Sequence, residues 1–292
     1  MAEPPARGEA PEQHSIMCGM SPTRWGPPID VLPYFSKEEQ ALMTLLGALT
    51  DEDWTRPTMC AGWSVKDVAA HLLGDKVGRL SRGRDGHTSE GPRPGEPFPR
   101  FVDRINEEWV VACRRLSTDV LLTMLYEFMG QTTEYWAQLD LDVLGEPVTW
   151  AGDEPAPRWL AAARDYSEFW VHHVQIREAL EHTPLEAEYA EPIADTFVRA
   201  LPHTLRDVDA RVGKQVGYTV TGHGKWYARR ERDGWVLDRG APPSRTPLAS
   251  VTTDLDTFWR LCTRNAANLD RVRTAGDENV CAVLLGMTSI IA

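Results

Sequence analysis

The sequence predicts an α+β protein: a long helical part followed by a smaller part that mixes strands and helices. Three observations carry this. Up to Pro184 the apolar residues recur with a helical period, and two segments open on a serine followed three residues later by an acid. Beyond Pro184 short runs alternate apolar and polar residues, as strands do. Between about 184 and 192 one pattern gives way to the other, which argues for a second domain. The expected division is an N-terminal extension over 1–28, a helical domain over 29–184 and an α+β domain over 190–292.

Residues 1–28 are rich in Pro, Gly, Ala and Glu with no apolar period, so disorder is expected there. Met17 and Met20 are read as candidate later starts. The first helix should begin at Ser36, where Ser36 and Glu39 form a capping box and Phe35 sits at the staple position. Leu42, Leu45, Leu46 and Leu49 then form its apolar stripe. The second helix should begin at Ser64, capped with Asp67, and this phase turns His71 inward with Val68 and Leu72. In the link between them Cys60 reads as a small buried residue rather than a nucleophile or ligand.

Residues 81–100 are dense in Gly, Pro and charge and read as a long exposed loop, a lid or a disordered segment. Helices follow over about 101–116 and 119–136, with Asn106 and Gln131 as polar members of their stripes. After a Gly/Pro-rich break, a helix over about 158–181 should end at Pro184. One more helix is expected over 193–208. Antiparallel strands are expected over 216–220, 225–229 and 234–238, with Asp233-Gly234 as a hairpin turn. A strand over 250–253 and helices over 254–264 and 278–285 complete the chain.

The 292 residues are 42% hydrophobic with a net charge of −12. An acidic chain without a basic surface argues against a nucleic-acid partner. No apolar run approaches the roughly 18 residues that span a bilayer, and no charged segment followed by an apolar one opens the chain as a secretory signal would. The five cysteines are widely spaced with no C-x-x-C pair, so neither a disulfide framework nor a thiolate zinc site is indicated. A reducing cytoplasm is the expected location. There is no Gly-rich phosphate loop, nucleophile elbow or internal repeat.

Glu168 and His172 are four apart, one helical turn, on one face. A carboxylate and an imidazole so placed can grip a divalent metal, with His71, flanked by Val68, Ala69, Ala70, Leu72 and Leu73, as the third ligand. The spacing alone more often belongs to a solvated helix face, and His71 alone to a satisfied core histidine.

Two stretches together resemble a known family. Gly62-Trp63-Ser64-Val65-x-Asp67-Val68-x-x-His71-Leu72 and Glu168-x-x-x-His172-x-x-Gln175-Ile176-Arg177 are similar to the motifs of the DinB-like mycothiol-dependent maleylpyruvate isomerases. The resemblance implies an N-terminal four-helix bundle binding a divalent metal, Zn²⁺ or another, through His71, Glu168 and His172. It also implies a smaller C-terminal α+β domain with a sterol-carrier-like fold. Many members carry Asp where this chain has Gln175. His173, about 100° round the helix, stays out of the ligand set.

The chemistry implied is addition of a small thiol, mycothiol, to an activated double bond of a small electrophile, rotation, and elimination. If another group leaves, or none, the same site is a thiol S-transferase. A non-catalytic metal- or ligand-binding protein is the reading from a different class. Arg264 matches the position of a functionally important arginine of the family. Its guanidinium could bind oxygens of the thiol or a substrate carboxylate. It is equally an ordinary arginine at a helix C-terminus.

Overall fold

In a computed structural model of the chain we describe residues 22–87, 91–185, 187–239 and 246–289. The expected architecture is present: a helical N-terminal half and a C-terminal half built on a sheet. The first half holds α1 (Leu32–Gly47), α2 (Asp51–Thr55), α3 (Val65–Arg79), α4 (Phe98–Cys113), α5 (Thr118–Gln138) and α6 (Arg158–Ala179). A small hairpin of β1 (Leu144–Pro147) and β2 (Pro155–Pro157), not foreseen from the sequence, lies before α6. The second half holds α7 (Glu191–Phe197), α8 (Leu201–Thr204), β3 (Gln215–Val220), β4 (Gly224–Glu231), β5 (Gly234–Arg239), β6 (Ala249–Thr253), α9 (Leu255–Cys262), β7 (Arg273–Gly276) and α10 (Glu278–Leu285). The five-stranded sheet has the order β5-β4-β3-β6-β7. β3, β4 and β5 form an antiparallel meander, and β6 returns parallel to β3. Among the described residues no helix is long and apolar enough to cross a membrane.

Helix α6 joins the halves because it is buried on opposite sides by two different cores. Phe169 and Ile176 belong to the bundle core with Leu42, Val68, Leu72 and Leu125. Tyr166 and Trp170 belong to a second core that continues through Phe197 into Val216, Tyr218 and Trp226 of the sheet. A helix buried on both sides cannot be amphipathic, which is why its polar residues are functional or paired rather than solvated.

Several boundaries differ from the sequence reading. Helix α1 starts at Leu32, because Pro33 in its first turn presets the backbone there. Ser36 is therefore inside the helix, and Glu39 is turned inward, its carboxylate accepting from Thr133 Oγ1 at 3.1 Å and lying 3.7 Å from Lys76 Nζ. The N-terminal extension is shorter than expected: Pro22–Trp25 form a 3₁₀ turn, and Trp25 is buried with its indole N–H donated to the Ala151 carbonyl at 3.3 Å. Residues 1–21 lie outside the described chain.

Helix α6 ends at Ala179, ahead of Pro184, and Glu181 takes a left-handed φ of 56° just after it. The helix expected over 193–208 is interrupted after α7 by a 3₁₀ turn, Val198–Ala200, next to Pro202, which has no N–H to donate back. The β4–β5 turn is Arg232–Asp233, since Glu231 pairs with Gly234.

A candidate metal centre at the floor of a cavity

Ser64 caps α3 as its sequence requires. Its Oγ accepts from the Asp67 backbone N–H at 3.3 Å, and Asp67 Oδ2 accepts from the Ser64 N–H at 3.1 Å. Arg114 Nε holds the same carboxylate at 2.9 Å. With the phase fixed, Val65, Val68 and Leu72 face the core and His71 is buried beside them, its ring 5.1 Å from that of Trp63. From α6, Glu168 and His172 come up to meet it. Glu168 Oε1 lies 3.5 Å from His71 Nε2 and 3.2 Å from His172 Nε2. The two imidazoles are edge to face, 4.6 Å between centroids. One ligand atom from each residue lies within 4.8 Å of the others.

Burial opposes the charge on Glu168, but the hydrogen bonds of His172 and His71 outweigh it and hold its pKa at about 2. Burial also opposes a proton on His172, yet its contacts with Cys60 and Glu168 push its pKa up to about 10. A carboxylate that stays ionised between two imidazoles is a donor set that fits a divalent cation, with one anionic oxygen and two nitrogens.

Gln175 sits one turn on, buried. Its Oε1 is 2.7 Å from His172 Nδ1 and accepts from Cys60 Sγ at 3.1 Å. A carbonyl oxygen can only accept, so Nδ1 carries a proton; with the pKa pushed up, Nε2 is protonated as well and donates to Glu168, and its lone pair becomes the metal ligand when a cation displaces that proton. Cys60 is therefore half-buried and engaged with this network rather than a mere space filler. Gln175→Leu, which keeps the bulk and removes the acceptor, is expected to weaken metal binding about 10–100-fold, with Gln175→Glu recovering much of it. Competition against a chelator checks this; an affinity within twofold of the parent would show that His172 needs no such orientation.

His173 points away, as its place on the helix requires. It is fully buried 3.6 Å from Glu38 Oε1. Burial, with a lesser contribution from Arg177, brings the His173 pKa down to about 3, and burial drives that of Glu38 well up, so this pair is neutral and belongs to the core.

Above the cluster lies a cavity of about 560 Å³ whose lining includes His71 and Glu168. Helices α3, α4 and α6 and the Glu146–Trp150 segment form its walls. Asp75, one turn beyond His71 and with Oδ2 3.4 Å from His71 Nε2, also lines it. The sequence reading missed Asp75, although its i,i+4 spacing from His71 was visible. Asn106 lines the cavity; Gln131 does not, and accepts from Arg84 Nη1 at 2.7 Å elsewhere. The expected loop over 81–100 is shorter, since Leu80–Arg84 continue α3 as a π-helical turn and α4 starts at Phe98. Gly91 and Phe98 from that segment reach the cavity wall, while residues 88–90 lie outside the described chain.

Among the described residues, the C-terminal half contributes none to this wall. Arg264 lies just past α9 with φ 59°, is exposed, and donates from Nε to Thr288 Oγ1 at 3.2 Å. The structure does not bring it among the cavity-lining residues.

Comparison with known proteins adds to the geometry. The mycothiol maleylpyruvate isomerase N-terminal domain model matches residues 35–177. The crystal structure of a mycothiol-dependent maleylpyruvate isomerase superposes with a TM-score of 0.53 at 12% identity, covering 84% of this chain and 91% of that one. A histidine-to-alanine mutant of a mycothiol-dependent maleylpyruvate isomerase gives a TM-score of 0.52 at the same identity and coverage. At that identity these structures establish a shared fold. A search of curated proteins gives no match. The matched residues span both arms of the cluster, from before His71 to beyond His172, so the helical half of the chain, over 35–177, is similar to the mycothiol maleylpyruvate isomerase N-terminal domain family.

Proposed function

We propose that the protein is a metal- and mycothiol-dependent enzyme that isomerises a small electrophile by thiol addition and elimination. The observation that carries this is the His71/Glu168/His172 cluster at the floor of a cavity. Its donor set and the similarity to that family both support a resident divalent ion, Zn²⁺ being the best fit to two imidazoles and one carboxylate. Such an ion, when bound, supplies a Lewis acid that favours the thiolate form of a thiol near neutral pH.

The chain's own residues do the rest. Glu168 contributes the anionic oxygen, and Gln175, by accepting from His172 Nδ1, leaves Nε2 as the nitrogen available to a cation beside that oxygen. Leu72 and Phe169 beside the cluster give the reacting atoms an apolar surround that limits water. In the reaction the sulfur bonds to one alkene carbon, and the π pair moves toward the neighbouring carbonyl. The remaining single bond rotates, the pair returns, and the C–S bond breaks, so atoms and electrons balance without an oxidant or reductant. S-transfer is the variant in which a different group leaves, and the same residues serve it.

The test is incubation of zinc-loaded protein with mycothiol and a panel of electrophiles, read by mass spectrometry. Thiol-dependent isomerisation or adduct formation supports the reading. Bound metal with no thiol-dependent turnover on any electrophile would favour a binding protein. Arg264→Ala, which alters a residue off the cavity wall, is expected to keep its metal and its kcat/KM within about twofold. A loss of tenfold or more at unchanged metal content, about 1.4 kcal/mol of transition-state stabilisation, would bring the C-terminal half into the site.

A further inference from the structure

Helix α4 carries an apolar stripe at helical spacing, Phe98, Phe101, Val102, Ile105 and Trp109. In a helical bundle such a stripe normally closes the core. Here only Val110 and Cys113 of α4 are buried. Phe98 is 48% exposed, and Phe101, Val102, Ile105 and Trp109 are half-buried. The first four belong to neither apolar core. All five instead line the cavity above His71 and Glu168. Trp109 is fixed in that wall by its N–H bond to the Ala70 carbonyl at 2.8 Å. It lies so close to Gly74 that a Cβ there would come within 2.7 Å of the ring.

The charges in the same cavity are already spoken for. Arg79 donates to both oxygens of Asp165 at 2.7 Å, and Arg164 reaches the same carboxylate at 3.2 Å. Lys76 faces Glu39 and the Phe169 ring. Among the described residues, Arg82, exposed at the mouth, is the cavity-lining cation with no carboxylate partner. Of the other carboxylates in the lining, Glu146 lies 4.0 Å from Arg79, Glu168 belongs to the cation site, and Asp75 is a further acid beside His71. A small dianion such as maleylpyruvate has two carboxylates to satisfy here and no apolar body to cover the α4 stripe.

Resting on the metal–thiol reading above, we propose that the electrophile of this site is an apolar, aryl- or alkyl-bearing enone carrying at most one carboxylate, its apolar body lying along α4. A volume of about 560 Å³, with an apolar wall along α4 and charged residues largely paired with one another elsewhere, is that of a small-molecule site.

The test has a binding arm and a turnover arm. Binding to zinc-loaded protein without thiol is measured by calorimetry for 4-oxo-4-phenylbutanoate and for succinate. The aryl acid is expected to bind at least tenfold tighter, and Phe101→Asp and Ile105→Asp, both at partly exposed positions, to lose at least tenfold of that affinity while keeping their metal. Succinate binding as tightly as the aryl acid, or aryl binding indifferent to both substitutions, would overturn the proposal. In the turnover arm, with mycothiol present, cis-4-oxo-4-phenylbut-2-enoate is expected to exceed maleylpyruvate at least tenfold in kcat/KM. A preference for maleylpyruvate would overturn the substrate class and leave the metal–thiol reading standing. Tight, α4-dependent aryl binding with no turnover of either compound would support the apolar site and overturn the metal–thiol reading.

Discussion

Replacing Glu168 by Gln is expected to leave the protein folded and without its metal, and with no thiol-dependent activity above background. Glu168 is the one anionic member of the cluster, and its Oε1 is within 3.5 Å of both imidazole Nε2 atoms. Gln keeps a hydrogen-bonding oxygen but no charge, so the imidazoles remain partnered while the cation loses its neutralising ligand. The loss in affinity should exceed the roughly 10–100-fold typical of a residue that only orients a ligand. His71→Ala and His172→Ala should behave alike. Elemental analysis after dialysis decides: one equivalent of zinc retained in these variants would remove the residue concerned from the ligand set.

The second large effect is on stability. Asp165→Ala should destabilise the fold by about 3–5 kcal/mol, the usual penalty for stranding one partner of a buried ion pair. Arg79 is buried and its guanidinium has both Asp165 oxygens at 2.7 Å. Trp136 Nε1 donates to the same carboxylate at 3.2 Å, and the Arg79 guanidinium stacks 5.0 Å from the Trp136 ring. Removing the carboxylate leaves a buried cation and an indole N–H with no acceptor there. The double substitution Arg79→Met with Asp165→Leu should recover most of the loss, because neither charge is then stranded. Denaturant unfolding checks both; a cost under about 1 kcal/mol for Asp165→Ala would mean that water reaches Arg79 freely.

What could be read in the sequence was what local chemistry decides. The Ser64–Asp67 cap is a four-residue matter, and it fixes the phase that turns His71 inward. Glu168 and His172 share a face by spacing alone, and the alternation of β3, β4 and β5 follows from a sheet with one covered face. Where two local signals compete, the stronger one sets the boundary: Ser36 offers a cap, but Pro33 three residues earlier starts the helix.

The remainder needs tertiary contact. Gln175 and Cys60 are 115 residues apart and meet on one carbonyl oxygen. The α4 stripe has the period of a core helix, and nothing local distinguishes a stripe that closes a core from one that walls a cavity. Phe169 and Trp170 are neighbours on α6 that serve two different cores. That both halves share one helix is invisible in a pattern that changes texture only after Pro184. Arg264 rests on positional matching alone, and what spacing does not give is its aim: it has a left-handed backbone just past α9 and donates to Thr288.

A cation held by the cluster should in turn recruit a thiol. Calorimetric titration of mycothiol into zinc-loaded and chelator-stripped protein tests it most directly. The zinc-loaded protein should bind at least tenfold more tightly, a difference of about 1.4 kcal/mol or more, and the advantage should vanish in Glu168→Gln. Equal affinity with and without the metal would contradict the account.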